Sequence, residues 1–353
     1  MTIEILPHLK SMISTSGLSG YEAPIRDLIR QTWEPLVDEI SISRLGSLHG
    51  LCLGVGEPPR PSILLAAHMD AIGMMVTSVK DGFLHFTEIG GLDPRILPGQ
   101  LVTVHGREDL PGMIAQPPAS FLPPEERDGA VAMDRLFIDT GLPPRDLERK
   151  VRVGDLVSFA QLPLETAGET LTGHSLDNRA SVAVVTHCLD LLQNRPHPWD
   201  VWAVASAQEE ETLGGAFTST FQLQPAMAIV IDVTFASSPG SPSHKTYPFG
   251  KGPTIGWGPN MHPYLFNSLK QLAERLEIPV SVEVNPRHSG TDAFAVQVVS
   301  AGIPCAVIGI PLRYMHTPVE MVSLKDISRA GRLLAEFITS LQPDFMENVT
   351  WED

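Results

Sequence analysis

The run Ser62-Ile-Leu-Leu-Ala-Ala-His-Met-Asp70 most constrains the fold of this chain, because it is apolar without alternation until it stops at polar residues. A strand of that kind is buried on both faces, as in a parallel sheet covered by helices. Beyond Gly173 the rhythm continues as strand then helix. The pattern predicts helices over 178–193, 212–221, 263–276, 292–301 and 324–341, with strands over 200–207, 226–233, 280–284 and 305–310. The opening reads as a helix with Ser19 or Gly20 near its start, Glu22 in its first turn, and Ile25, Leu28 and Ile29 at helical spacing. Such alternation implies an α/β sheet with helices on both faces. Residues 73–168 break the rhythm. Short β-rich runs over 82–88, 100–105 and 155–159 alternate with Gly and Pro turns. The stretch 116–126, with four prolines, reads as a loop. We therefore expect an α/β domain over 1–72 and 169–353, with 73–168 inserted into it as a small β-barrel or sandwich.

Composition limits what such a chain does. Hydrophobic residues are 43% of 353 and charged residues 19%, enough for a large core and a smaller second one. Lys and Arg number 25 against 41 Asp and Glu, a net charge of −16 that repels phosphate backbones and anionic lipid. No nucleic-acid or membrane role is expected. The longest apolar stretches, such as 225–233, are too short to span a bilayer. The opening MTIEILPHLKSMIS lacks the pattern of an export signal, so a cytoplasmic protein is expected. Cys52, Cys188 and Cys305 stand far apart in apolar contexts and read as core residues rather than a disulfide framework.

Open α/β sheets carry their sites at the carboxyl ends of strands. Here the apolar segments end or turn in His68 with Asp70, Glu209 with Glu210, Asp232, and His316, while Asp177 opens a helix. Imidazoles and carboxylates, one of them able to bridge, are what a pair of hydrolytic metal ions requires. Each residue alone has a plainer explanation. Asp177 is a natural helix cap, Glu209-Glu210-Glu211 a solvated charge run, and His316 a loop histidine. Asp232 is harder to explain away, because it interrupts an apolar strand and a buried carboxylate needs a partner. His68 and Asp70, two apart on a strand, face one side, which suits a ligand histidine oriented by a carboxylate. If Glu209 and Glu210 continue a strand, their side chains point in opposite directions.

Taken together, the segments resemble a known family. GLSGYEAPIRDLI (17–29), AAHMDAIGMMV (66–76), IGGLDPRILPGQLVTVHG (89–106), RLFIDTG (135–141), LDNRAS (176–181), QEEETLGGA (208–216), IDVTFA (231–236), GKGPTIGWGPNMHP (250–263), SGTDA (289–293) and RYMHTPVEMV (313–322) look like those of the M42 metallo-aminopeptidases. The resemblance runs in order over nearly the whole chain. It implies a zinc-exopeptidase-like fold, a mixed sheet flanked by helices with an inserted β-barrel used in assembly. It also implies two divalent ions, zinc or cobalt. His68, Asp177 and Asp232 would hold one, and Asp177, Glu210 and His316 the other. Asp70 would orient His68, and Glu209 would be the general base. Substrates would be peptides with a free N-terminus, and dimers would build a larger tetrahedral particle. The chain departs from the family pattern at Ala71, Glu211, Thr212, Gly214, Arg287 and His288, near the site but at no proposed ligand. Of these, His288 is either an added pocket residue or a loop residue without a role, and the second reading is preferred. Competing readings are a two-metal carboxypeptidase or N-acyl amino acid deacylase, a glycosidase acting through paired carboxylates, and a metal-binding homologue without activity.

Overall fold

The computed structural model describes residues 3–351 apart from 125, 126, 128 and 130. Of the expected loop over 116–126, Glu125 and Glu126 therefore lie outside the described residues. Strands Asp200–Ser206, Ser62–His68, Met227–Phe235 and Cys305–Arg313 lie side by side and parallel at the centre of an 11-stranded sheet. Antiparallel strands extend it on both sides, so the sheet is mixed. Leu48–Cys52 and Glu39–Ile42 flank one side, and Glu320–Ser323, Thr170–Gly173 and Leu164–Thr166 the other. Thr254–Trp257 branches from Cys305–Arg313 and carries Ser281–Val284 at its outer side.

The unbroken apolar strands follow from what covers them. Ile63, Leu65, Ala203, Ile229, Ile231 and Ile308 face a core made with helices Leu176–Leu192, Leu324–Ser340 and Pro263–Arg275. The intervening Leu64, Ala66, Val204, Ala228, Val230 and Val307 face a second core under Gly214–Leu223 and Asp292–Gln297. Because successive side chains alternate between faces, both sets must be apolar. Ser206 pairs with His68 and Asp232 with Gly309, and the register Val230↔Ala66 extended by two residues sets Asp232 level with His68. His68, Ser206, Asp232 and Gly309 thus lie on one line across the sheet, where two of the parallel strands end and the other two run on to Phe235 and Arg313.

Between Ile72 and Ala160 the chain builds a separate closed barrel. Its strands run in the order Gly73–Lys80, Phe83–Ile89, Phe137–Asp139, Asp109–Ala115, Leu101–His105 and Leu156–Phe159, every pair antiparallel. Here the period is two: Met74 and Val76, Leu84 and Phe86, Val102 and Val104 point inward onto Ile114, Ile138 and Val157. A short helix, Pro144–Lys150, closes part of the wall. By Leu164–Thr166 the chain is already paired in the large sheet.

Some elements were not anticipated. Helix Ile5–Ile13 and strands Glu39–Ile42 and Leu48–Cys52 carry His, Ser or Gly where a periodic pattern was sought. The helix expected over 292–301 stops at Gln297. All three cysteines are buried and free. Among the described residues, no helix is long and apolar enough to cross a membrane.

Candidate active site

The line of strand ends gathers every residue singled out above. His68 closes its strand and Asp232 lies level with it. Asp177 is at the opening of helix Leu176–Leu192, after Ser175 at φ 66°, where Asp177 and Asn178 are themselves non-helical and regular winding starts beyond them. Asp177 is therefore neither an ordinary cap nor an interior helical residue. His316, at φ 60°, sits in the connection between Cys305–Arg313 and Glu320–Ser323. Glu209 and Glu210 correct one expectation: they are not extended. After Ser206 the chain turns at Gln208, φ 60°, into the short helix Glu209–Thr212. The two side chains separate by about 100° around a helical turn rather than by opposite faces of a strand.

Asp177 occupies the middle of the cluster. Its Oδ1 lies 3.2 Å from His68 Nε2 and its Oδ2 3.4 Å from His316 Nε2, one oxygen toward each imidazole. Glu210 Oε2 is 3.6 Å from His316 Nε2. Glu209 Oε2 and Asp232 Oδ1 lie 3.7 and 3.8 Å from His68 Nε2. Distance alone does not separate the last two: His68 with Glu209 and Asp232 forms one compact ligand triad, and His68 with Asp177 and Glu210 another. Asp70, fully buried, stands behind. Its carboxylate lies 3.4 Å from His68 Nδ1 and accepts the backbone N–H of Glu209 at 3.1 Å and of Glu210 at 3.2 Å. It contacts the histidine and the backbone of the Glu209–Glu210 turn together.

The charges do not balance among themselves. Burial pushes Glu209 up to about 10, and Asp232, Asp292 and Glu210 add to the rise against the pull of His68. Burial and then Asp177 raise Glu210 to about 7, and burial with Asp177 lifts Asp232 well above its ordinary value. Burial would lower His68, but Glu209, Asp177, Asp70 and Asp232 outweigh it and raise it. His316 rises to about 9, first through Asp177. Glu210 Oε1 is buried with no hydrogen-bond partner among the described residues. Crowded carboxylates that must take up protons to coexist, with an unpartnered oxygen among them, fit divalent cations. Two imidazoles and hard oxygen donors suit zinc, cobalt or manganese.

Several supporting groups escaped the sequence reading. Glu320, buried, accepts the N–H of Asp177 at 3.1 Å and of His316 at 2.9 Å, fixing the backbone of two ligand positions at once. Glu22 accepts from Gly20 at 2.6 Å and Gln208 at 3.0 Å, tying the N-terminal segment to the catalytic turn. Buried Arg179 donates to the carbonyls of Met12, Thr15 and Met69. Asp292 accepts the Ser206 hydroxyl just before that turn. From the barrel side, the Gly91 carbonyl lies 2.9 Å from His316 Nδ1. Glu320, Glu22 and Arg179 act on backbone groups, which leave no trace in side-chain spacing. The sequence signal of these three and of Asp292 is limited to lying inside quoted segments: YEAP, LDNRAS, SGTDA and HTPVE.

The cluster opens into a cavity of about 1030 Å³ walled by Thr234, Phe235, Tyr247, Glu283, Val284 and Phe294. Arg287 and His288, two of the departures, line it as well. Another departure, Glu211, accepts the Gly90 N–H at 2.6 Å and so ties the catalytic turn to the end of the barrel.

Known proteins share this sequence and fold. The model for the M42 glutamyl aminopeptidase family matches residues 51–333. A lysyl aminopeptidase of Pyrococcus furiosus is 33% identical, over 95% of this chain and 97% of its own length. Among solved structures, a TET aminopeptidase from the marine sediment archaeon Thaumarchaeota archaeon SCGC AB-539-E09 superposes with a TM-score of 0.93 at 32% identity, covering 98% of this chain and 99% of that one. The TET1 peptidase of Pyrococcus horikoshii, which assembles into a tetrahedron or a large octahedral shell, superposes with a TM-score of 0.84 at 27% identity, covering 96% and 100%. With its sequence and its fold matched over nearly their whole extent, this chain belongs to the M42 glutamyl aminopeptidase family.

Proposed function

We propose that this protein is a two-metal aminopeptidase that removes N-terminal residues from peptides with a free amine. His68, Asp177 and Asp232 hold one divalent ion, zinc or cobalt, and Asp177, Glu210 and His316 the other. The observation that carries the reading is Asp177, which directs one carboxylate oxygen to each of two histidines on different elements. Divalent ions there supply Lewis acidity toward the scissile carbonyl and the attacking water. The remaining steps belong to the chain. Asp70 holds His68 in one orientation and fixes the backbone of the catalytic turn. Glu209, part-buried beside the cluster with its Oε2 3.7 Å from His68 Nε2, takes the proton of the attacking water as the C–O bond forms. It returns that proton to the departing amine as the C–N bond breaks. The buried setting excludes bulk water from that transfer.

The inserted block, 73–168, is proposed as the assembly unit. Leu101 and Met113, cross-strand partners on the barrel wall, are 62% and 47% exposed, the kind of apolar pair a subunit interface covers. The assembly proposed is of dimers into a tetrahedral particle, with the Pyrococcus horikoshii neighbour as its support. Three free, buried cysteines suit a reducing compartment, the cytoplasm. The relatives' names point to residues of opposite charge, glutamyl and lysyl, so names do not choose the preferred N-terminal residue.

The deciding experiment pairs a short peptide with its N-acetylated form, using protein loaded with zinc or cobalt. The free peptide should shorten stepwise from its amino end, and the acetylated one should survive. Efficient cleavage of the acetylated peptide would move the assignment to a deacylase or endopeptidase. Elemental analysis should find two ions per active chain.

A further inference from the structure

The cavity wall holds one carboxylate that the proposed chemistry leaves unused. Glu283 lies on the strand Ser281–Val284, and its side chain turns back over the sheet instead of out to water. Its Oε1 accepts the Thr234 hydroxyl at 2.9 Å and its Oε2 the Thr254 hydroxyl at 2.6 Å. The floor beneath is Gly309. A Cβ there would stand 2.9 Å from Glu283 Oε2 and 2.3 Å from Thr254 Oγ1, so the carboxylate occupies room that exists because residue 309 has no side chain. The groups that bond it are Thr254, Thr234 and Asn285, none of them a cation, and burial raises its proton affinity. An acid housed in this way and facing a ligand cavity lacks a positive partner.

Its distance from the chemistry matters. Thr234 follows Asp232 by two residues on one strand, so both point to the same face, about 7 Å apart. A lysine or arginine side chain carries its charge about 6 Å or more from Cα along a stem of five or more bonds. A substrate residue whose backbone sits at the catalytic cluster can therefore place a terminal cation against Glu283, while the methylene stem crosses the apolar wall.

We infer that Glu283 is the acidic floor of the subsite for the substrate's N-terminal side chain and selects lysine or arginine there, an inference that rests on the aminopeptidase reading above. Lys245, Arg287 and His288 line the same cavity but are exposed at its rim, where water and salt screen them. Glu283, part-buried with both carboxylate oxygens hydrogen-bonded, is screened less than they are, so it dominates the choice of side chain.

The test uses chromogenic amides of lysine, arginine, norleucine and glutamate with the metal-loaded wild type and Glu283→Gln. Norleucine matches the lysine stem without its charge. The wild type should prefer lysine over norleucine by about 30-fold or more in kcat/KM, as expected for a desolvated charge pair. Glu283→Gln should remove most of that preference while norleucine changes only a few-fold. Free lysine should also inhibit the wild type more strongly than free norleucine, a comparison that needs no variant. Equal rates for lysine and norleucine in the wild type, or an equal loss on all substrates in the variant, would overturn the assignment alone. Failure to cleave any free-amine amide would overturn the aminopeptidase reading and this assignment with it.

Discussion

The barrel and the large sheet treat buried polarity in opposite ways. The barrel strands largely alternate, and their interior, with Val104, Ile114, Ile138 and Val157, is an ordinary apolar core whose closure leaves no free edge. The sheet's central strands are apolar on both faces, then stop in a line of buried acids and imidazoles at their carboxyl ends. Adjacent carboxylates that raise one another's proton affinity destabilise a fold unless something else holds them. The difference shows where selection has tolerated strain. The barrel is built for shape, and one edge of the sheet is built for chemistry.

The largest effects should therefore come from that edge. Glu209→Gln keeps the shape of the side chain and removes the base. We expect kcat to fall by about 10²–10⁴-fold, with metal content and folding nearly unchanged. Glu210→Gln should instead lower the occupancy of one ion, with activity partly restored by excess metal. Steady-state kinetics with elemental analysis on both variants decides the matter. Because Glu209 lies as near His68 as Asp232 does, the opposite pattern, metal lost in Glu209→Gln and retained in Glu210→Gln, would reverse the assignment.

Removing packing from the barrel sharpens the contrast. Ile114 is fully buried and pairs with Ile138. Ile114→Ala should cost about 2–5 kcal/mol of barrel stability while leaving kcat per folded chain within about two-fold. Denaturant unfolding and kinetics at low temperature measure both. A large fall in kcat would show that the two regions are coupled. The route would be the contacts of Gly91 with His316 and of Gly90 with Glu211.

How much of this was legible depends on whether a residue acts through its side-chain type or through the backbone. The parallel centre was readable because both faces of a covered strand must be apolar, and the clustered polar positions because His68, Asp177, Glu210, Asp232 and His316 interrupt or end such runs. Glu320 and Glu22 were not, because they grip N–H groups brought near only by folding. The helical turn at Glu209 was missed because it depends on Gln208 at positive φ, a conformation Gln seldom reveals in sequence. His288, expected to be an idle loop residue, lines the cavity. The edge strand Ser281–Val284 was readable, but the cradle for Glu283 was not, since it is formed by Gly309 on another strand.

The smallest effect probes the sheet domain away from its catalytic edge. His49 lies on the strand Leu48–Cys52 with 0% exposure, and its Nε2 meets the Ser219 hydroxyl at 2.8 Å. Burial lowers its pKa from 6.5 to about 4, so the folded protein holds it neutral. Between those values the unfolded chain binds more protons than the folded one, so stability rises with pH across that window. The contribution is fully present above about pH 6.5 and is lost as pH falls toward 4. At pH 5.5 the deficit is about 1.4 kcal/mol for one site displaced by roughly one pH unit from its unfolded value. His49→Gln keeps a hydrogen-bonding group for Ser219 and cannot titrate. Urea unfolding at pH 7 and pH 5.5 should show the wild type losing about 1.2 kcal/mol more than this variant. The difference of differences cancels whatever the substitution costs at pH 7. Equal losses in the two proteins would mean that His49 takes up its proton in the folded state.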